Sequence, residues 1–290
     1  MRALALKPQA VHERLAETDE YDRPMTESGA WQDTSLPTNE RVEALLAAMR
    51  LAEQVGQLGS FWAQANIGES DVAPMASEMA TGGGFVEAID GGLGHLTRIF
   101  GSASVSVADG TDDLARCQRE VMAANRFGIP AIAHEECLTG FTTFGATVYP
   151  TSLAWGATFD PDLIERMAHA IGADMAAVGI DQALSPVLDV ARDARWGRVE
   201  ETMGEDPYLV SMLGTAYVKG LQSAEVMATL KHFAGYAASR GARNHGPVST
   251  GRRELADVVL PPFEMAVRNG NVASVMNSYA DPDGVPPAAD

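Results

Sequence analysis

Residues 185–207, SPVLDVARDARWGRVEETMGEDP, hold the densest set of chemistry-bearing side chains in the chain. An apolar run, Val187, Leu188 and Val190, stops at a loop with Arg192, Arg195, Trp196, Gly197 and Arg198, and Asp206-Pro207 then opens a helical pattern. A buried strand is therefore expected to deliver guanidinium donors and an indole to one spot. That spot is expected at the carboxyl end of a strand, where α/β folds place their chemistry. Arg presents a planar fork of donors for paired oxygens, and Trp a flat apolar face. Such a set suits a polyhydroxylated ring. A structural salt-bridge loop fits the same spacing.

Lys231-His232 closes another apolar run, Ala228-Thr229-Leu230. A cation there is costly to desolvate unless it is paired or faces a cleft. Adjacent strand residues point to opposite faces, so both can serve one ligand only where the chain bulges or leaves the strand. The alternative is a snorkelling lysine beside a core histidine. His134-Glu135-Glu136 follows the strand-like Gly128-Ile-Pro-Ala-Ile-Ala133. A zincin helix needs a second His at position 138, which is Leu, so a metal is rejected. A carboxylate accepting hydrogen bonds from hydroxyls is the functional reading, whereas Glu135 reads better as a structural partner of an arginine. Gly91-Gly92-Leu93-Gly94 misses the GxGxxG pattern because position 97 is Thr. Walker and GxSxG motifs are absent as well.

The elements that must position these residues follow from periodicity. Helical spacing starts near Thr38, with Val42, Leu45, Leu46, Met49, Leu51 and Val55 three and four apart. Residues 1–37 read as a polar extension, and 59–92 as a long Gly-rich loop or broken helices. Strands are expected over 93–99, 129–133, 153–159, 182–190, 226–233 and 272–279. Helices are expected over 108–127, 160–178, 207–221 and 253–269, the last kinked by Pro261 and Pro262. In the second of these Asp160 can cap, Pro161 suits the first turn and Gly179 ends the helix. Strands alternating with helices imply parallel pairing through right-handed crossovers. A doubly wound sheet and a (β/α)8 barrel both fit. The barrel is favoured because strand after strand ends in polar residues, which a barrel gathers around one axis.

A hydrophobic content of 46 % provides for a sizeable core, and the formal charge of −18 disfavours nucleic acid and anionic membrane surfaces. Cys117 and Cys137 form no CxxC pair and read as reduced core thiols. Charged residues break up the first thirty positions, and no run of 18 apolar residues occurs. The chain reads as a soluble, cytoplasmic protein.

The set Gly128-Ile-Pro, His134-Glu-Glu-Cys-Leu-Thr-Gly140, Gly145-Ala-Thr, Tyr149-Pro150, Pro186-Val-Leu-Asp, Arg192-Asp-Ala-Arg-Trp-Gly-Arg198, Glu200 to Pro207, Lys231-His-Phe233 and Ser274-Val-Met-Asn-Ser-Tyr279 resembles the N-terminal barrel of family 3 glycoside hydrolases. The resemblance runs over 38–290. It implies an α/β fold, a (β/α)8 TIM-type barrel with about six of eight strands present. It also implies a retaining exo-β-glycosidase acting on terminal β-linked glucose or xylose, with no cofactor. The partners implied are a small carbohydrate and the C-terminal remainder of the same enzyme. Glu136 matches the acidic residue that binds hydroxyls on the far side of the terminal sugar. Arg198 matches the sugar-binding arginine, and Lys231 and His232 the pair on adjacent ring hydroxyls. Tyr279 matches the tyrosine beside the nucleophile, while Trp196 supports its loop.

Departures from the pattern carry their own expectations. Position 139 is Thr where many members have His. Glu136 replaces the Asp of many β-glucosidases, and its extra methylene crowds a hexose hydroxymethyl group, which leans toward xylose. By this mapping the nucleophile and the acid/base both lie beyond Asp290, so no catalytic carboxyl is assigned within the chain. Retaining chemistry needs two carboxyls about 5–5.5 Å apart. Asp281 and Asp283 fall in a loop outside the expected strand, and Asp290 reads as the cap of a helix that follows. Two other classes are a non-catalytic carbohydrate-binding protein and a single-domain β-N-acetylhexosaminidase-like enzyme. Against the latter, residues 240–245 hold His245 but no Asp.

Overall fold

Helices alternate with parallel strands from Ser60 to Asn277 in the computed structural model, which describes residues 29–62 and 84–289. These residues fall into two units that divide between His134 and Glu135, with Ala177–Gly179 belonging to the first.

The first unit contains α1 (Thr38–Ala48), α2 (Leu51–Gly56), β1 (Ser60–Trp62), α3 (Phe85–Ala88), β2 (His95–Thr97) and α4 (Val107–Ala124), and reaches β3 (Ile132–Glu135). β1 pairs with β2 and β2 with β3, all parallel, aligning Phe61 with Leu96 and Leu96 with Ala133. These three apolar side chains are buried, as the alternation in each strand dictates. Ser106 caps α4 by accepting from the Asp109 N–H, and Leu114, Cys117, Gln118 and Val121 form its buried face. Gln118 is the polar member of that face. Its amide donates to the Ala131 carbonyl at 2.7 Å and its oxygen accepts from the Ala131 N–H at 3.0 Å, tying the helix to the entrance of β3. A second tie is the Arg126 guanidinium, which donates to both Glu53 oxygens at 2.7 and 2.8 Å. Those bonds hold the Glu53 carboxyl at about 2, well below its ordinary range.

The second unit contains α5 (Ser152–Gly156), α6 (Pro161–Ala176), β4 (Gln182–Ala183), α7 (Pro207–Ser223), β5 (Met227–Phe233), β6 (Pro247–Val248), α8 (Pro261–Gly270), β7 (Ser274–Asn277) and β8 (Asp281–Pro282). β5 lies between β4 and β7, all parallel, and β6 pairs with β8 in a separate two-stranded ladder. Gln182 bridges the main ladder. Its amide donates to Thr229 Oγ1 at 2.8 Å and to Ser274 Oγ at 3.0 Å, so one side chain reaches both neighbouring strands. Asp160 and Asp206 cap α6 and α7 by accepting the N–H groups of Leu163 and Leu209. The two helices pack closely. A Cβ at Gly220 would run into the Glu165 carbonyl and lie 2.7 Å from Ala168 Cβ.

Among the described residues, six strands outside the β6–β8 ladder alternate with helices, the expected α/β class, two strands fewer than a closed barrel has. The count agrees, but four elements differ. Residues 153–159, expected as a strand, lie in and after the short helix α5. There Trp155 is buried and stacks on Tyr217 of α7, with centroids 5.5 Å apart. A short apolar run does not distinguish a strand from a buried helical turn. The missing strand is β1, placed inside the segment read as loop. The expected strand over 182–190 keeps regular pairing only to Ala183, because Pro186 has no N–H to give a ladder. Beyond it Val187 makes an isolated bridge to Lys231. In the stretch expected as a helix over 253–269, a π turn (Leu255–Val259) precedes α8 at the two prolines. Residues 1–28, 63–83 and 290 lie outside the described residues, and with them most of the polar extension, most of the Gly-rich segment and the Asp290 cap. Among the described residues no helix is long and apolar enough to cross a membrane.

Candidate sugar-binding site

The five candidate residues all belong to the second unit, and contacts connect them. Glu136 follows the end of β3, where the Glu135 carbonyl accepts from the Leu184 N–H at 2.9 Å and the Glu136 carbonyl from the Thr142 N–H at 3.0 Å. Next to it, Cys137 is buried under α7. The Tyr217 hydroxyl donates to the Cys137 carbonyl at 2.9 Å, and burial pushes the thiol up to about 11. Both cysteines are free and buried.

Lys231 lies near the carboxyl end of β5 and is 1 % exposed. Its Nζ donates to Glu136 Oε2 at 2.8 Å, which resolves the cost of a cation in an apolar strand by pairing. The neighbouring chain braces the same residue. The Lys231 carbonyl accepts from the Leu188 N–H at 2.6 Å, and the Lys231 N–H donates to the Pro186 carbonyl at 3.1 Å. The register of β5 against β7 shifts between Leu230 and Phe233, the irregularity that two adjacent ligand residues require. The Lys231–His232 and Phe233–Ala234 peptides are cis, as is Ser185–Pro186.

His232 is buried against Asp189. Asp189 Oδ2 accepts from the His232 N–H at 3.0 Å and lies 2.9 Å from Nδ1, and Asp189 Oδ1 accepts from the Ala237 N–H at 3.3 Å. Burial holds the imidazole below its ordinary value, and the Asp189 hydrogen bond opposes it.

Tyr236 joins the remaining residues. The turn before it needs Gly235, whose φ is +88°. The Tyr236 ring lies 5.0 Å from His232, 5.3 Å from Trp196 and 6.0 Å from Tyr279, edge-on in each case. The Arg198 guanidinium sits 5.6 Å from the ring centre. Arg198 also donates through Nε and Nη2 to the two oxygens of Glu201, at 2.7 and 2.6 Å. Burial is the largest single influence and works against that charge, but the hydrogen bonds and charges of Glu201 and Tyr236 together outweigh it and the arginine's pKa is raised. Tyr279 is half-exposed, with the His245 ring 4.7 Å away.

Contacts connect the five residues singled out from the sequence into one network, and three of its parts carry no assignment in the sequence reading. Asp189 is a carboxylate inside an apolar run, a signal that it needs a buried partner. Tyr236 follows the Lys231-His232 strand end, and Glu201 stands three residues after Arg198. The expected convergence of the arginine loop is only partly met. Arg198 reaches the network, whereas Arg192 pairs with Glu254 at 3.0 Å and Arg195 with Asp193 at 2.6 Å. For those two the salt-bridge reading holds. Trp196 is buried as a support for its loop. A small pocket lined by Asp189, Gly235, Ala237, Val259 and Phe263 shares Asp189 but includes none of the five. Among the described residues no group of three His, Cys, Asp or Glu side chains is arranged to hold a metal ion.

The model of the glycosyl hydrolase family 3 N-terminal domain matches residues 50–290. A β-xylosidase from Formosa agariphila is 41 % identical over 189 residues, which is 60 % of this chain and 26 % of that protein. A β-glucosidase structure from Erythrobacter marinus matches with a TM-score of 0.79 at 34 % identity, over 91 % of this chain and 34 % of that one. A β-glucosidase from Listeria innocua, solved in complex with glucose, matches with a TM-score of 0.70 at 30 % identity, over 85 % of this chain and 34 % of that one. The chain thus spans between a quarter and about a third of the length of these relatives.

Proposed function

The chain belongs to the glycosyl hydrolase family 3 N-terminal domain family, and from that premise we propose that it carries the sugar-binding part of a β-glycosidase. The substrate is a terminal β-linked glucose or xylose, held by Glu136, Arg198, Lys231, His232 and Tyr279. One observation carries this reading. A buried lysine–carboxylate pair and a buried histidine–carboxylate pair stand side by side at one strand end, with Arg198 and Tyr279 grouped around Tyr236 beside them. Donors and acceptors held this rigidly match the hydroxyls of a sugar ring, and an aromatic face matches its C–H groups.

Binding of this kind does not by itself accelerate the chemical step. In the retaining mechanism one carboxylate attacks the anomeric carbon while a second carboxyl protonates the departing oxygen. Water then cleaves the glycosyl ester, with the second group acting as base. Lys231, His232 and Arg198 cannot form that ester. The reading therefore assigns the reacting carboxyls to parts of the enzyme outside residues 1–290, in line with relatives about three times as long.

The test compares residues 1–290 with the full-length enzyme on aryl β-glucoside and aryl β-xyloside. Turnover is expected from the full-length protein only. Turnover by residues 1–290 within about a thousandfold of the full-length enzyme, a gap of roughly 4 kcal/mol, would mean that a carboxylate such as Glu135, Asp189 or Asp281 is the nucleophile.

A further inference from the structure

Asp189 binds the end of β5 and the turn that follows it. Its Oδ1 accepts the Ala237 N–H and its Oδ2 the His232 N–H, and the same Oδ2 faces His232 Nδ1. Both residues are buried, so water does not compete for these positions. Each carboxylate oxygen already receives a backbone proton. The ring nitrogen that faces them is therefore the donor. A neutral imidazole carries one N–H, and spending it at Nδ1 leaves a lone pair at Nε2.

We propose that Asp189 is a positioning residue that fixes His232 as the Nδ1–H tautomer, so that the imidazole accepts a hydrogen bond at Nε2 and offers none. The proposal rests on the reading of His232 as a sugar ligand and adds the sense of its contact. Burial favours the neutral ring that this requires. Lys231, one residue earlier, is the complement, because an ammonium only donates. The pair then reads two neighbouring hydroxyls in opposite senses. One must accept from Nζ and the other must donate to Nε2. A vicinal diol satisfies both. A fluorine, which accepts but cannot donate, satisfies only the lysine.

The experiment has a spectroscopic arm and a kinetic arm. In the 290-residue chain labelled with 15N-histidine, His232 is identified by its loss in His232→Gln. Its Nε2 is expected to resonate as an unprotonated nitrogen and its Nδ1 as a protonated one. A protonated Nε2 in the wild-type chain at neutral pH overturns the proposal, whether or not the protein binds sugar. In Asp189→Asn the carboxamide N–H can face Nδ1, which moves the ring proton to Nε2, the wrong tautomer. In the full-length enzyme this variant is expected to raise KM for the aryl glycosides by about tenfold to a hundredfold, with a smaller change in kcat. Asp189→Glu should recover part of the loss. An Asp189→Asn enzyme that melts like the wild type and keeps its KM also overturns the proposal. If Asp189→Asn does not fold, the wild-type nitrogen spectrum decides. A wild-type enzyme that hydrolyses neither substrate sinks the glycosidase reading, while the nitrogen spectrum still decides the tautomer.

Discussion

Glu136→Ala tests how the fold tolerates the Lys231 ammonium. Lys231 Nζ is 2.8 Å from Glu136 Oε2, and the two side chains are 2 % and 18 % exposed. Deleting the carboxylate strands a cation in the interior. Breaking a buried pair in this way costs about 3–5 kcal/mol, because the remaining charge is left without compensation. Glu136 is partly open to water, which can enter where the carboxylate was, so the lower end applies, about 3 kcal/mol. At about 2.1 cal/mol/K of unfolding entropy per residue, the chain gains roughly 0.6 kcal/mol/K on unfolding, and Tm should fall by about 5 °C. The double variant Glu136→Leu/Lys231→Met removes both charges. It should regain most of the loss, since apolar residues of similar volume often replace such a pair without cost. Circular dichroism melts of the three proteins, at one pH and ionic strength, give the answer. A Glu136→Ala midpoint within about 1 °C of the parent, or a double variant no more stable than the single, refutes the argument.

Three further outcomes are expected. In the full-length enzyme, Glu136→Asp should raise kcat/KM for the glucoside relative to the xyloside, by no more than the roughly 1–3 kcal/mol that one methylene discriminates. An unchanged ratio removes the crowding argument. Gly220→Ala should lower the melting temperature, because its methyl group meets the Glu165 backbone across the α6–α7 contact. Overpacking costs about 1–3 kcal/mol against a helix-propensity gain of about 1 kcal/mol, and a midpoint above the parent's contradicts it. Glu53 is held at about 2 against an ordinary value of 4.5, so its stabilisation is present above pH 4.5 and lost as pH falls toward 2. Glu53→Gln should flatten the stability–pH curve in that window, and urea titrations that find equal slopes in both proteins would discount the Arg126 pair.

What could be read from the chain depends on how local each signal is. Helices α6 and α7 were legible to within about two residues, because Asp160-Pro161 and Asp206-Pro207 are caps whose physics lies within four positions. The strand cores at Leu96, Ala133 and Leu230 were legible as apolar runs. Residues 153–159 were misread because what decides their conformation is distant, the Tyr217 ring that Trp155 stacks upon. β1 was missed because three residues, Ser60–Trp62, give no period to detect. At the site, the residue types pointed to hydroxyl binding. The pairing that makes a buried Lys231 and His232 tolerable needs Glu136 and Asp189, 95 and 43 positions away along the chain. No spacing rule finds those partners. The outward pairing of Arg192 with Glu254 is hidden for the same reason.

The loops around the site share a small apolar core of their own, made by Trp196, Tyr236, Ala237, Ala242, Val248 and Ala280, with Val199 and Ala238 packed against it. These residues come from four separate stretches, three that follow β4, β5 and β7 and one that forms β6. No one stretch can change length or side-chain volume without the others adjusting. Transplanting substrate preference between relatives by exchanging a single loop should therefore yield misfitted chimeras. Exchanging the four stretches as a set preserves their mutual fit. The unit of inheritance at this site is the set of loops, while the strands beneath serve as a common chassis.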